Sequence, residues 1–230
     1  MSFEMIVKQS LLNSVLFEGL DEGTLAKLAG VMRPVSLKRN ETLFLQDDEP
    51  DGCYCVLEGA LKVSIINEEG EETILAALGG SDILGEMGLI DEEPRSANIT
   101  ALKATKLAFL SGPAFADIAG QHPQIYRHLL RIVAKRLRIT NDCFQIRQSM
   151  GLDGRLAHTL LRLADGFGNP LDGDRVMIFH KFTQSDLGDM VGAARENVSR
   201  QLNQWCRDGV LSKISGYYCI EKPQVLHDLT

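Results

Sequence analysis

No apolar run in this chain approaches the ~18 residues that a membrane-spanning helix requires, so no membrane partner is expected. The opening residues, Met1-Ser2-Phe3-Glu4, lack the basic stretch of a secretory signal. Cysteine is scarce: Cys53, Cys55, Cys143, Cys206 and Cys219 are odd in number and scattered. That fits reduced thiols in a cytoplasmic protein. Also missing are a Ser-His-Asp context, a metal-ligand spacing and a Walker loop, so neither an enzyme nor a metal centre is expected. Basic residues are in deficit, 24 against 31 acidic, for a net charge of -7. The deficit is uneven: from Gly151 onward nine basic residues face ten acidic ones, which leaves fifteen against twenty-one before it. The C-terminal part can therefore still meet a polyanion through a local basic face.

What is present is enough for one large or two modest globular domains: 230 residues, 44% hydrophobic and 24% charged. Residues 6–32 carry helical spacing, with Leu11, Leu12, Val15 and Leu16, then Leu25, Leu28 and Val31. From Val35 to Leu110 short alternating runs (Tyr54–Leu57, Leu61–Ile65) are punctuated by Gly52, Gly59, Gly70 and Gly79-Gly80, the texture of an antiparallel sandwich or barrel. Cys53-x-Cys55 is read as sending its thiols to opposite faces of a strand, a poor metal pair.

Residues 123–149 contain no Gly or Pro after Pro123 and predict one long helix. Along it Tyr126, Leu130, Val133, Leu137, Thr140 and Phe144 recur at alternating four- and three-residue steps, a coiled-coil seam. Such a seam packs either into its own domain or against a second copy. Its position between two domain-like segments favours a two-fold dimer. Thr140 is the polar member: its hydroxyl either bonds back to its own helix or faces a ligand. Gly151-Leu152-Asp153-Gly154 predicts a hinge, followed by an amphipathic helix over 155–164, a loop over 166–174 and a short strand over 176–179.

Further on, Thr183 reads as an N-cap with Asp186 in the first helical turn, Gly192 as a tight turn, and residues 194–208 as a second helix burying Val198, Leu202 and Trp205. Two short helices around a glycine describe a helix-turn-helix. Arg195, Glu196 and Arg200 span an arc of about 140° away from the buried face. Arginine can fork onto guanine and glutamate can accept from cytosine, while Gln184 and Ser185 could hold phosphates. Residues 209–221, turning at Ser215-Gly216, predict a two-stranded wing. A small docking domain with a solvated helix would carry the same residues.

The densest chemistry lies in Gly85-Glu86-Met87-Gly88-Leu89-Ile90-Asp91-Glu92-Glu93-Pro94-Arg95-Ser96-Ala97. Glycine allows close backbone approach, arginine offers a planar fork to phosphate, and a separate carboxylate can accept from a sugar hydroxyl. Phosphate and ribose together mean a nucleotide. The same residues would also make an acidic surface turn in which Arg95 pairs with Glu92 or Glu93.

This segment resembles the phosphate-binding cassette of cyclic-nucleotide-binding domains, with every position of the Gly-Glu … Pro-Arg-Ser-Ala pattern filled. The segments Phe182-Thr183-Gln184-Ser185-Asp186-Leu187-Gly188 and Ala194-Arg195-Glu196-Asn197-Val198-Ser199-Arg200 resemble the winged helix of the Crp/Fnr regulators. The resemblance runs through nearly the whole chain and is nearest to the cyclic-AMP-responsive, catabolite-activator branch. It implies an α+β fold: a cyclic-nucleotide-binding β-roll of jelly-roll type over residues 1–121, a dimerisation helix over 122–150, and a winged helix-turn-helix over 151–230. It assigns Arg95 and Ser96 (with Ala97) to the cyclic phosphate, Glu86 to the 2′-hydroxyl, Gly85 to backbone approach, and Arg136 to support of the pocket. Thr140 and Asn141 fall where that branch places a Thr-Ser pair on the base; asparagine is a departure. Arg195, Glu196 and Arg200, with Asn197 and Ser199 beside them and Thr183, Gln184 and Ser185 on the preceding helix, take the DNA contacts, on a palindromic TGTGA-type operator. Ala194 departs from the usual Ser or Thr cap. The implied partners are cyclic AMP, double-stranded DNA, a second copy of the chain and RNA polymerase. Alternatives within the same fold are a constitutive regulator or one sensing cyclic GMP or a haem-bound gas. An iron–sulfur sensor fits poorly because no cysteine precedes Cys53, and none of the five histidines stands in an obvious ligand position.

Overall fold

The computed structural model describes residues 2–230. The chain opens with helices α1 (Phe3–Leu12) and α2 (Glu22–Val31), capped by the side chains of Ser2 and Asp21. Eight strands follow: β1 (Arg33–Leu37), β2 (Thr42–Phe44), β3 (Gly52–Glu58), β4 (Leu61–Ile66), β5 (Glu72–Leu78), β6 (Ile83–Leu84), β7 (Asn98–Ala101) and β8 (Thr105–Ser111). They form two four-stranded sheets, in the orders β1-β8-β3-β6 and β2-β7-β4-β5, antiparallel at the β1–β8, β3–β8, β3–β6, β2–β7 and β4–β7 pairings. The expected glycine-punctuated β-domain is thus present. Helices α3 (Gly112–Gln121) and α4 (Gln124–Ser149) follow it.

Strand β3 explains how the first layers pack. Cys53 and Cys55 lie in one hydrophobic cluster with α1, α2, α3 and the start of α4, while Tyr54 and Val56 lie in another with Leu37, Ile99 and Leu107. The two thiols therefore share a face, correcting the opposite-face reading: side chains alternate with period two, so i and i+2 coincide. Burial pushes the Cys55 thiol up to about 12 and raises that of Cys53 as well.

Helix α4 is buried only at its start, by Ile125, His128 and Leu129. Most of its predicted seam stays outside: Leu130 is 62% exposed, Leu137 60% and Phe144 65%, while Val133 is half-buried. The helix stops at Ser149, and Gly151, extended at φ -65° and ψ 175°, caps the next one, α5 (Leu152–Phe167). Asp153 and Gly154, expected within the hinge, instead form the first turn of α5. An acidic residue is favourable there against the helix dipole, and a Cβ on Gly154 would lie 2.9 Å from the Leu229 carbonyl oxygen.

The remaining elements are β9 (Gly168–Pro170), β10 (Val176–Ile178), α6 (Gln184–Val191), α7 (Arg195–Arg207), β11 (Leu211–Ile214), β12 (Tyr217–Ile220) and α8 (Pro223–His227). Residues 168–170, read as loop, pair with β10 at the edge of the sheet β11-β12-β10-β9. An edge is where a strand proline such as Pro170 can sit. By compactness the chain divides into residues 1–65 with 78–139 and residues 66–77 with 140–230. No helix among the described residues is long and apolar enough to cross a membrane.

Candidate functional site: a buried cassette and an exposed reading helix

Gly85 follows β6 with φ +75°, and a Cβ there would sit 2.5 Å from Arg95 Nη1 and 3.2 Å from the Gly52 carbonyl oxygen. Glycine is required both for the left-handed backbone and for the space. Its carbonyl accepts from Arg95 Nη1 at 2.8 Å. Nη2 of the same arginine donates to Asp51 Oδ1 at 2.7 Å, and the guanidinium lies 4.4 Å over the Phe44 ring. Arg95 is only 5% exposed. Backbone bonds on both sides, Asp47 N to Arg95 O and Arg95 N to Asp48 O, each 2.9 Å, hold its main chain. Glu92 and Glu93 are exposed on the turn, and Arg95 pairs with Asp51 rather than with either. The simple acidic-turn reading is therefore not the observed geometry.

Glu86 is fully buried, at 0% exposure. One oxygen accepts from Arg136 on α4, whose Nη2 also donates to the Ile83 carbonyl at 2.5 Å. The other oxygen, Oε2, is buried without a hydrogen-bond partner. Buried carboxylate oxygens are costly to leave unsatisfied, so this atom is suited to accept from an incoming hydroxyl. Gly85, Glu86, Arg95, Ser96, Ala97 and Arg136 line one cavity of about 50 Å³, closed on its apolar side by Phe44, Val63 and Ile99. Ser96 is exposed and its hydroxyl lies 3.6 Å from Met87 Sδ. The structure brings these six sequence-derived residues together. Thr140 and Asn141, both exposed on α4, are not among that cavity's lining residues. Asp51 and Phe44 were not read from sequence as site residues. They lie 44 and 51 positions before Arg95, and no local pattern links them to it.

The reading head is built as expected. Thr183 and Asp186 form a reciprocal capping box on α6, and Gly192 closes the helix at φ +64°. Ala194 opens α7 with no side-chain cap. Helix α7 buries Val198, Leu202 and Trp205 and leaves Arg195, Glu196, Asn197 and Arg200 exposed, with Ser199 half-buried. Arg200 Nη2 donates to Asn197 Oδ1 at 3.3 Å. On α6, Thr183 and Ser185 are exposed and Gln184 half-buried. The wing turns at Ser215 and Gly216, φ +52° and +89°, the pair of positive values that a two-residue hairpin turn needs.

A nucleotide cassette joined to a winged helix-turn-helix defines a ligand-responsive DNA-binding regulator, and the comparisons agree. The profile of the cyclic nucleotide-binding domain matches residues 34–122, and that of the Crp-like helix-turn-helix domain matches residues 154–229. A CRP-like cAMP-activated global transcriptional regulator of Mycobacterium tuberculosis is 30% identical over 84% of this chain and 86% of its own length. The cAMP-activated global transcriptional regulator CRP of Salmonella typhimurium is 34% identical over 70% of this chain and 76% of its own. The protein belongs to the Crp/Fnr family of cyclic-nucleotide-binding transcription regulators. Among solved structures, FixK2 from Bradyrhizobium japonicum superposes with a TM-score of 0.77 at 23% identity, over 86% of this chain and 97% of its own. The c-di-GMP-responsive regulator CLP of Xanthomonas campestris gives 0.71 at 20%, over 87% and 99%. At those identities the two support the fold alone.

Proposed function

We propose that the protein is a cyclic-AMP-gated transcription regulator of the cytoplasm, which binds a palindromic TGTGA-type operator as a homodimer and acts on RNA polymerase, without catalytic activity. The observation that carries the ligand is the pair of buried groups in the cassette: the Arg95 guanidinium, and the Glu86 carboxylate with Arg136 on one oxygen and nothing on the other. A cyclic phosphate takes the guanidinium fork and the Ser96 hydroxyl, and must share Arg95 with Asp51. The ribose 2′-hydroxyl donates to Glu86 Oε2. Arg136 neutralises and orients Glu86 and touches no ligand atom in this scheme. The Mycobacterium tuberculosis and Salmonella typhimurium relatives are each described as cAMP-activated, which favours adenine as the base.

The exposed apolar stripe of α4 supports dimerisation, because large apolar side chains in register are normally covered. In the dimer Thr140 and, from the second copy, Asn141 meet the base. Ligand then biases a two-state arrangement of the sensor (1–121), the helix (122–150) and the reading head (151–230). Arg195, Glu196 and Arg200 read base edges. Thr183, Gln184, Ser185, Asn197 and Ser199 border the backbone. Calorimetric titration of the full chain with cyclic AMP, cyclic GMP and 2′-deoxy cyclic AMP tests the assignment. Cyclic AMP should bind one per chain, and the 2′-deoxy analogue about tenfold or more weaker for loss of a hydrogen bond to a charged acceptor. Equal binding of the analogue would remove Glu86 from ribose recognition. No nucleotide binding would leave a constitutive regulator or one with another effector.

A further inference from the structure

A second cavity, of about 260 Å³, has all its lining residues within 66–77 and 140–230. It lies just below the ~300 Å³ at which ordinary small-molecule pockets begin, which suits a slender ligand. Strand β5 contributes residues 73–77. Phe144 from α4, Leu163 and Phe167 from α5, and Met190 and Val191 from α6 make an apolar body. The polar part is one-sided. Arg147, Arg155, Arg162 and His158 are in the wall, and no Asp or Glu is among its nineteen lining residues, in a chain where acids outnumber bases 31 to 24.

These cations are also poorly matched within the protein. Among the described residues, none of Arg147, Arg155 and Arg162 forms an ion pair. Arg155 Nε is buried without a partner, and its Nη1 reaches only the Met150 carbonyl at 3.4 Å. Arg162 Nη1 meets Cys143 Sγ at 3.0 Å, and sulfur is a weak acceptor. Guanidinium groups at the rim of an apolar cavity gain most from a carboxylate, which accepts their fork while the cavity excludes water.

We propose that this cavity is a ligand site for an amphipathic carboxylate, with its anionic head on Arg155 and Arg162 and its apolar body against Phe144, Leu163 and Phe167. Burial and then the charge of Arg162 hold the His158 imidazole below its usual value, against the smaller opposing pull of the Asp142 carboxylate. Such a ligand would tie β5 to α4, α5 and α6, and α6 is the helix that precedes the reading helix. It would be an effector distinct from a cyclic nucleotide: the cavity shares no lining residue with the cassette, and Thr140, proposed above to meet the base, stands at its wall, away from Arg155 and Arg162 in sequence.

The test is calorimetry on the full chain with decanoate and with decanol, which share the apolar body and differ in the head. Decanoate should bind one per chain and decanol about tenfold or more weaker, the ratio expected for losing charge-assisted bonds. Arg155→Gln combined with Arg162→Gln should remove that difference, and Ala76→Trp, which fills the cavity from β5, should abolish both. Equal binding of acid and alcohol to the unmodified chain, no binding of either, or decanoate binding that survives Ala76→Trp would overturn the proposal. If the double arginine variant loses its circular-dichroism melt, the acid–alcohol comparison and Ala76→Trp still decide.

Discussion

Replacing Arg136 by alanine should reveal how the cassette keeps a charge buried. Glu86 is fully inside, and its neutralising partner is Arg136, whose side chain is 36% exposed. Removing one partner of a buried pair costs ~3–5 kcal/mol because the other charge is left uncompensated. Water already reaches Arg136 and can follow the vacated space, so the lower end, ~3 kcal/mol, applies here. For a chain of this size that lowers the midpoint of the sensor transition by ~6–12 °C. Glu86→Gln alone should cost less, about 1 kcal/mol, because the arginine left behind can turn to solvent. In the double variant neither charge of the Glu86–Arg136 pair remains, so its loss should fall below the sum of the singles by ~1.5 kcal/mol or more. Differential scanning calorimetry of the four proteins, following the first transition, measures this cycle. Additive losses, or an Arg136→Ala protein as stable as the parent, would refute the reasoning that Arg136 exists to hold the Glu86 charge.

Other outcomes follow from the same geometry. Gly85→Ala puts a Cβ 2.5 Å from Arg95 Nη1 at φ +75°, so cyclic AMP affinity should fall about tenfold or more for ~1.4 kcal/mol of displaced fork and strained backbone, read by calorimetry. His158 has its folded value below the ordinary imidazole value near 6.5. The unfolded chain therefore binds more protons there, stability falls as pH drops below about 6.5, and His158→Gln should flatten that slope in urea melts. Cys206 is exposed whereas Cys53, Cys55 and Cys219 are buried, so iodoacetamide and mass spectrometry should find Cys206 modified in the native protein and those three only after unfolding. Arg195→Ala should lose ~1–3 kcal/mol of discrimination at particular base pairs. An equal loss across all operator variants would mean that it touches only phosphate.

Much of this was legible in the sequence because the signals are local. The capping box at Thr183 and Asp186, the left-handed Gly192 and the Ser215-Gly216 turn each depend on a few adjacent residues, and each appears where the pattern put it. The long helix over 124–149 was equally readable from the absence of breakers. What escaped depends on tertiary placement. Asp51 reaches Arg95 only because sheet pairing sets β3 beside β6, and the cation–π contact of Phe44 comes from another strand altogether. Residues 168–170 looked like a loop from their Gly, Asn and Pro, yet an edge position admits proline and the pairing with β10 made them a strand. Helix α5 starts at Leu152, three residues before the expected 155, because only one of the two neighbouring glycines breaks the chain. Gly151 ends the extended link, while Gly154 is a packing residue inside the helix.

The most direct measurement is fluorescence anisotropy of a labelled palindromic TGTGA duplex, titrated with the full chain with and without saturating cyclic AMP. Ligand-gated binding should appear as a gain in operator affinity within the ~5–150-fold range of allosteric coupling, absent with Arg95→Gln. The same affinity with and without nucleotide would contradict a cassette that switches the reading head.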